Sequence, residues 1–124
     1  MVGFLKIKYD VVLLITPPST HYKLAKKILN AGNNIFIEKP ATLSSKNLEK
    51  IIKLAKNKNR VLMSGYIYCY NVYIQFIKKI LKQKKLWKIK YIYCERSNLG
   101  PIRNDNACYW DLASHDISTI KYLF

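Results

Sequence analysis

Five consecutive apolar residues, Val11-Val12-Leu13-Leu14-Ile15, open the patterned part of the chain. An unbroken apolar run this short predicts a strand buried on both faces. It ends in Thr16-Pro17-Pro18-Ser19-Thr20, a rigid turn whose Ser19 and Thr20 suit the start of a helix. Leu24, Ala25, Ile28 and Leu29 then recur at helical spacing, and Gly32 stands where a left-handed stop is expected. Ile35-Phe36-Ile37 predicts a second strand, closed by Glu38-Lys39-Pro40. Ser44 or Ser45 can cap a second helix with the stripe Leu48, Ile51, Ile52, Ala55, and Val61-Leu62-Met63 makes a third strand before Ser64-Gly65. Strand, helix, strand, helix, strand means βαβαβ: an α/β fold with a parallel, Rossmann-like sheet and right-handed crossovers.

After Gly65 the pattern changes, which puts a boundary there and divides the chain into 1–65 and 66–124. Residues 66–71 read as an aromatic loop. Tyr73, Phe76, Ile77, Ile80 and Leu81 form the stripe of a basic helix. Trp87, Ile89, Tyr91 and Tyr93 alternate as in a sheet covered on one face, the beginning of an α+β domain. A polar loop with Gly100-Pro101 leads to Trp110 and a last helix whose core side carries Leu112, Ile117, Ile120 and Leu123.

Charge changes this picture less than its size suggests. Of 124 residues, 22 are Lys or Arg and 7 are Asp or Glu, a net +15. A nucleic-acid or anionic-surface binder would have such a balance. However, 19 of the 22 are Lys and three are Arg (Arg60, Arg96, Arg103), and base reading favours Arg. Lys, Ile, Asn and Tyr supply 55 residues, a skew that an A+T-rich coding sequence also produces. Cys69, Cys94 and Cys108 are an odd number without CxxC spacing, so neither a disulfide framework nor a metal site is expected, and a cytoplasmic setting fits. No apolar run approaches the length of a membrane span or a signal-peptide core.

In an open parallel sheet, ligands bind beyond the carboxyl ends of the strands. The turn 16–21 and Glu38-Lys39-Pro40 are both expected at that edge. Pro40 holds Lys39 extended, so its amine is either a poised proton carrier and anion ligand or an ordinary surface lysine. Asp111 and His115, at i and i+4, share one helix face: either a carboxylate orienting an imidazole, or a cap beside a surface histidine. His21 reads as a helix-start histidine on its own. Tyr66, Tyr68, Tyr70 and Tyr73 are either a stacking surface or core.

Together, the run DVVLLITPPSTHYKLAKKILNAGNNIFIEKPATLS, then VLMSGY, YNVYIQFIKKIL and WDLASHDIS, resembles the Gfo/Idh/MocA oxidoreductases (the glucose–fructose oxidoreductase and inositol dehydrogenase family). The likeness runs from Asp10 to Phe124 and is nearest to the branch acting on sugars or nucleotide-sugars. It implies hydride transfer between a sugar hydroxyl carbon and NAD or NADP, in a small-molecule enzyme with no specific nucleic acid or membrane partner, from a family of homo-oligomers. By the same resemblance, catalytic roles fall to Lys39, Asp111 and His115, with Lys39 or His115 handling the hydroxyl proton. Thr16, Pro17, His21, Glu38 and Lys39 would line the cofactor pocket, Glu38 at the nicotinamide ribose.

Residues 1–65 would then be the C-terminal half of a dinucleotide-binding domain, and 66–124 the start of the substrate domain. The chain departs from the pattern in having no GxGxxG, in carrying Cys69 where a basic residue usually precedes Tyr-Asn, and in reaching only one strand and a helix of the second sheet. It is expected to be truncated at both ends and inactive alone. Two other classes remain compatible: a basic nucleic-acid-associated module, and a non-catalytic remnant kept as a binding partner.

Overall fold

A computed structural model describes residues 7–83, 89–97 and 109–124. The chain folds as two compact units, Met1–Gly65 and Tyr66–Phe124.

The first unit alternates strand and helix: β1 (Val11–Leu14), α1 (Pro18–Asn30), β2 (Asn34–Ile37), α2 (Ser45–Asn57) and β3 (Leu62–Ser64). The strands form one parallel sheet in the order β1-β2-β3, with Leu13 opposite Phe36 and Phe36 opposite Met63. The helices cover one face of it. Val12 and Leu14 from β1, Ile35 and Ile37 from β2, Ala25, Ile28 and Leu29 from α1, and Ile51 and Ala55 from α2 make the core. Gly32 adopts φ +80° and ends α1 as its position foretells, since a Cβ is strained in that conformation. At the amino ends of the strands the Asn34 side chain ties its neighbours together. It donates to the Asp10 carbonyl at 2.7 Å and accepts from the Val61 amide at 2.9 Å.

Three expectations for this unit need correction. Residues 11–15 are not buried on both faces: Val11, Leu13 and Ile15 are 51%, 61% and 69% exposed, because no layer covers the second face among the described residues. Ile52 is also exposed, pointing away from the sheet while Ile51 and Ala55 meet it. Ser19 and Thr20 do not cap α1, which already begins at Pro18. Thr20 instead turns its hydroxyl back, donating to the Pro17 carbonyl at 2.7 Å.

The second unit is helical where it is described. Residues 66–71, expected as loop, contain a short 3₁₀ turn, Ile67–Tyr70. Asn71 then caps α3 (Val72–Lys82), its side-chain oxygen accepting from the Tyr73 and Ile74 amides. Five residues of π-helix, Tyr109–Ala113, lead into α4 (Ser114–Leu123), which packs against α3 and the 3₁₀ turn. The Lys78 ammonium sits 3.5 Å from the centroid of the Tyr122 ring.

The stripe expected to be core on α3 is largely exposed at Tyr73, Phe76 and Ile77, since no sheet is available to cover it among the described residues. The expected strand at 87–93 does not form where it is described, as residues 89–97 pair with no other strand. Gly3, Trp87, the Gly100-Pro101 loop, Arg103 and Cys108 lie outside the described residues.

Candidate functional site

Parallel pairing puts the carboxyl ends of β1 and β2 at the same edge of the sheet, and the turns that follow carry the residues singled out above. β1 runs out into Ile15-Thr16-Pro17, and the Thr16 and Thr20 hydroxyls lie 2.7 Å apart on the exposed rim. β2 runs out into Glu38-Lys39-Pro40, with the Glu38 amide donating to the Leu14 carbonyl at 3.0 Å. The Lys39–Pro40 peptide bond is cis. Lys39 and Glu38 are half-buried, between the core of the sheet and solvent. The structure therefore brings Thr16, Pro17, His21, Glu38 and Lys39 to one edge.

His21 lies between the two turns. Its ring is fully buried, with Nδ1 2.9 Å from the Pro40 carbonyl oxygen and Nε2 2.7 Å from the Thr16 carbonyl oxygen.

Gly65, which in the sequence is only punctuation after β3, belongs to this edge as well. A Cβ built there would stand 3.0 Å from Glu38 Oε2 and 3.3 Å from the Phe36 ring. The missing side chain is the room in which the Glu38 carboxylate lies. An alanine at this position would push the carboxylate or the ring aside.

Asp111 and His115 are placed within the second unit, Asp111 in the π-helical turn and His115 on α4. The Tyr68 ring meets His115 edge-on, centroids 4.9 Å apart, and the Arg96 guanidinium lies 5.2 Å from the Tyr68 centroid. Arg96 also forms a bidentate pair with Asp116, its Nη2 2.7 Å from Oδ1 and its Nε 2.9 Å from Oδ2. Sequence reasoning missed this arrangement, although a signal was present: Arg96 is one of three arginines among 19 lysines, at a place where a fork-shaped donor is used. Cys69, at the position usually basic in the resembled family, directs its thiol to the Ser118 carbonyl at 3.8 Å. Beside these residues is a cavity of about 480 Å³ walled by Tyr66, Trp110, Ser114, Ser118, Lys121 and Tyr122, among others. Burial pushes the Tyr66 phenol above its ordinary range, and the neighbouring Cys69 adds to the effect.

The Arg96 hydrogen bonds hold the Asp116 carboxyl below the usual carboxylate range, with the charges of Arg96 and His115 adding to them. Linkage fixes the sign: this stability is fully present above the ordinary Asp value and is lost as pH falls through the lowered one. The second unit is therefore expected to loosen in acid below the range where a free Asp titrates. Asp116→Asn should remove that part of the acid transition, which amide exchange on α4 across an acid titration will read.

The residues at the strand ends fit one end of a nicotinamide dinucleotide. Glu38 presents a carboxylate, Lys39 an ammonium, and Gly65 leaves the room that the carboxylate occupies. They do not supply a diphosphate cradle, for the chain's four glycines (Gly3, Gly32, Gly65 and Gly100) show no GxGxxG spacing.

Residues 5–66 match the family described as an oxidoreductase family with an NAD-binding Rossmann fold. UDP-N-acetylglucosamine 3-dehydrogenase of Acidithiobacillus ferrooxidans is 32% identical over 117 residues, covering 94% of this chain and 36% of that protein. The NAD(+)-dependent scyllo-inositol 2-dehydrogenase of Bacillus subtilis is 26% identical over 92% of this chain and 35% of its own length. Among solved structures, myo-inositol 2-dehydrogenase from Lactobacillus plantarum superimposes with a TM-score of 0.64 at 26% identity, over 70% of this chain and 26% of that one. A Klebsiella pneumoniae oxidoreductase-like structure reaches a TM-score of 0.79 at 27% identity, over 97% of this chain and 34% of its own. The chain thus spans about a third of the length of the relatives it matches.

Proposed function

This chain belongs to the Gfo/Idh/MocA oxidoreductase family, and on that premise we propose that it is part of an NAD(P)-dependent dehydrogenase acting on a hydroxyl of a sugar or sugar derivative. In this reading Met1–Gly65 is the C-terminal half of the dinucleotide-binding domain, and Tyr66–Phe124 begins the substrate domain. The observation that carries the proposal is the edge at which the Thr16–Pro17 turn and Glu38-Lys39-Pro40 come together beyond the carboxyl ends of β1 and β2.

The cofactor, when bound, accepts or returns a hydride. The protein's own task is the hydroxyl proton and the placing of both partners. Glu38 holds a ribose through its carboxylate, which Gly65 leaves room to sit beside the β3 end. Lys39 projects an amine at the strand end, where it orients the substrate hydroxyl and exchanges its proton. His115, four residues after Asp111, is the other candidate to handle that proton. Thr16 and Pro17 form the opposite rim of the cofactor end. The reading is supported by the family match, the order of the motifs and the relatives named for sugar and inositol dehydrogenation.

The chain made alone is expected to show no turnover. The sequence has no GxGxxG loop to cradle the cofactor diphosphate at a helix N-terminus. The check is to supply NAD and NADP with a panel of sugars and nucleotide-sugars and follow the absorbance of reduced cofactor. Turnover abolished by Lys39→Ala would overturn the expected inactivity and support the role given to Lys39. Turnover unaffected by that change would remove Lys39 from the chemistry.

A further inference from the structure

His21 is a buried polar side chain of the first unit for which the proposed chemistry has no direct use. Its ring is fully buried. Its two nitrogens are instead directed at backbone: Nδ1 at the Pro40 carbonyl, 2.9 Å, and Nε2 at the Thr16 carbonyl, 2.7 Å. Those carbonyls belong to different turns, one closing β1 and one carrying Lys39. We propose that His21 is a positioning residue, a rigid ring in the first turn of α1 that sets how far the Thr16–Pro17 turn stands from the Lys39–Pro40 turn.

This inference rests on the proposed function for the meaning of that spacing, as the opening that admits the nicotinamide end of the cofactor. The tie itself rests on geometry alone. Both partners are acceptors only, so each is held when the nitrogen facing it bears a hydrogen. A neutral ring holds one turn at a time, and a ring protonated on both nitrogens holds the two together. An apolar side chain of similar volume would fill the same space and leave both carbonyls without a donor, which burial makes costly. An imidazole is rigid, so once seated it transmits the position of one turn to the other. Lys39 would then owe its place to a residue 18 positions earlier in the chain.

Amide side chains separate the two ties. The Asn amide nitrogen reaches the place of Nδ1, and the longer Gln side chain reaches the place of Nε2. The experiment compares His21→Asn, His21→Gln and His21→Leu in the full chain, with ¹³C labels on the Thr16 and Pro40 carbonyls. With His21→Leu as the reference in which neither carbonyl has a donor, His21→Asn should move the Pro40 resonance downfield and leave that of Thr16 unchanged. His21→Gln should do the reverse. A residue that merely fills the core predicts something else: Asn and Gln leave both resonances as in Leu, or they perturb the same carbonyl. Either outcome overturns the proposal.

Adding NADH to the same samples tests the functional reading separately, through the Glu38 and Lys39 amides. The carbonyl pattern without a response to NADH keeps the tie and removes the cofactor reading. A response to NADH without the pattern removes the tie alone.

Discussion

The double variant Val11→Lys, Leu13→Lys should remain monomeric at concentrations where the unmodified chain self-associates. β1 pairs with β2 on one side, and no strand meets its other side among the described residues. Its outer face is apolar: Val11 and Leu13 are half exposed or more, and Leu13 continues across the sheet into Phe36 and Met63. An apolar strand with an unpaired edge is a template for another copy. Burying one Val and one Leu is worth about 3 kcal/mol or more in association, which is about a hundredfold in the concentration at half assembly. The +15 charge opposes assembly, but its reach falls to about 10 Å at 0.1 M salt, so added salt should strengthen association of the unmodified chain. Sedimentation velocity over a concentration and salt series reads both effects. An unchanged midpoint in the Lys variant would place the contact elsewhere.

Leu29→Ala is expected to be the most damaging conservative truncation in the first unit. Leu29 is fully buried on α1 among Ile28, Ile35, Ile37 and Ile51 in the single core of this unit. Removing three carbons there costs about 2–5 kcal/mol, the upper part of that range applying where neighbours cannot close the hole. A core built on three short strands and two helices has little stability to spare, so the loss should unfold the unit at room temperature. Urea denaturation followed through the β1–β3 amides is the measurement. Ile52→Ala, on the exposed side of α2, is the control and should change little.

The parts of the fold that were legible share one property: their signals are local. Leu24, Ala25, Ile28 and Leu29 state a helix face whatever surrounds them, and Gly32 marks its end by a backbone conformation other residues avoid. Residues 11–15 misled because an apolar run reports what a strand is suited to bury, and the cover for its second face is not among the described residues. The stripe on α3 and the alternation at 89–93 failed for the same reason: each presupposes a sheet to pack against or pair with.

The place of Lys39 at the carboxyl edge was legible because it closely follows a strand and strand order fixes that edge. The tie made by His21 was not, since its partners are main-chain carbonyls, one of them 19 residues away, that no side-chain pattern announces. Gly65 was hidden for a related reason. Its importance lies in the space it leaves for Glu38.

Whether the carboxyl edge of the sheet is the nicotinamide end of a cofactor site is decided by an NMR titration of the ¹⁵N-labelled chain with NADH. Saturable shifts confined to Thr16, Glu38, Lys39 and Gly65 are expected, at millimolar NADH because the diphosphate lacks its cradle, and largely insensitive to salt. Shifts spread over the lysines of α1 and α2 and abolished by salt would contradict the assignment, marking the chain as a general binder of anions.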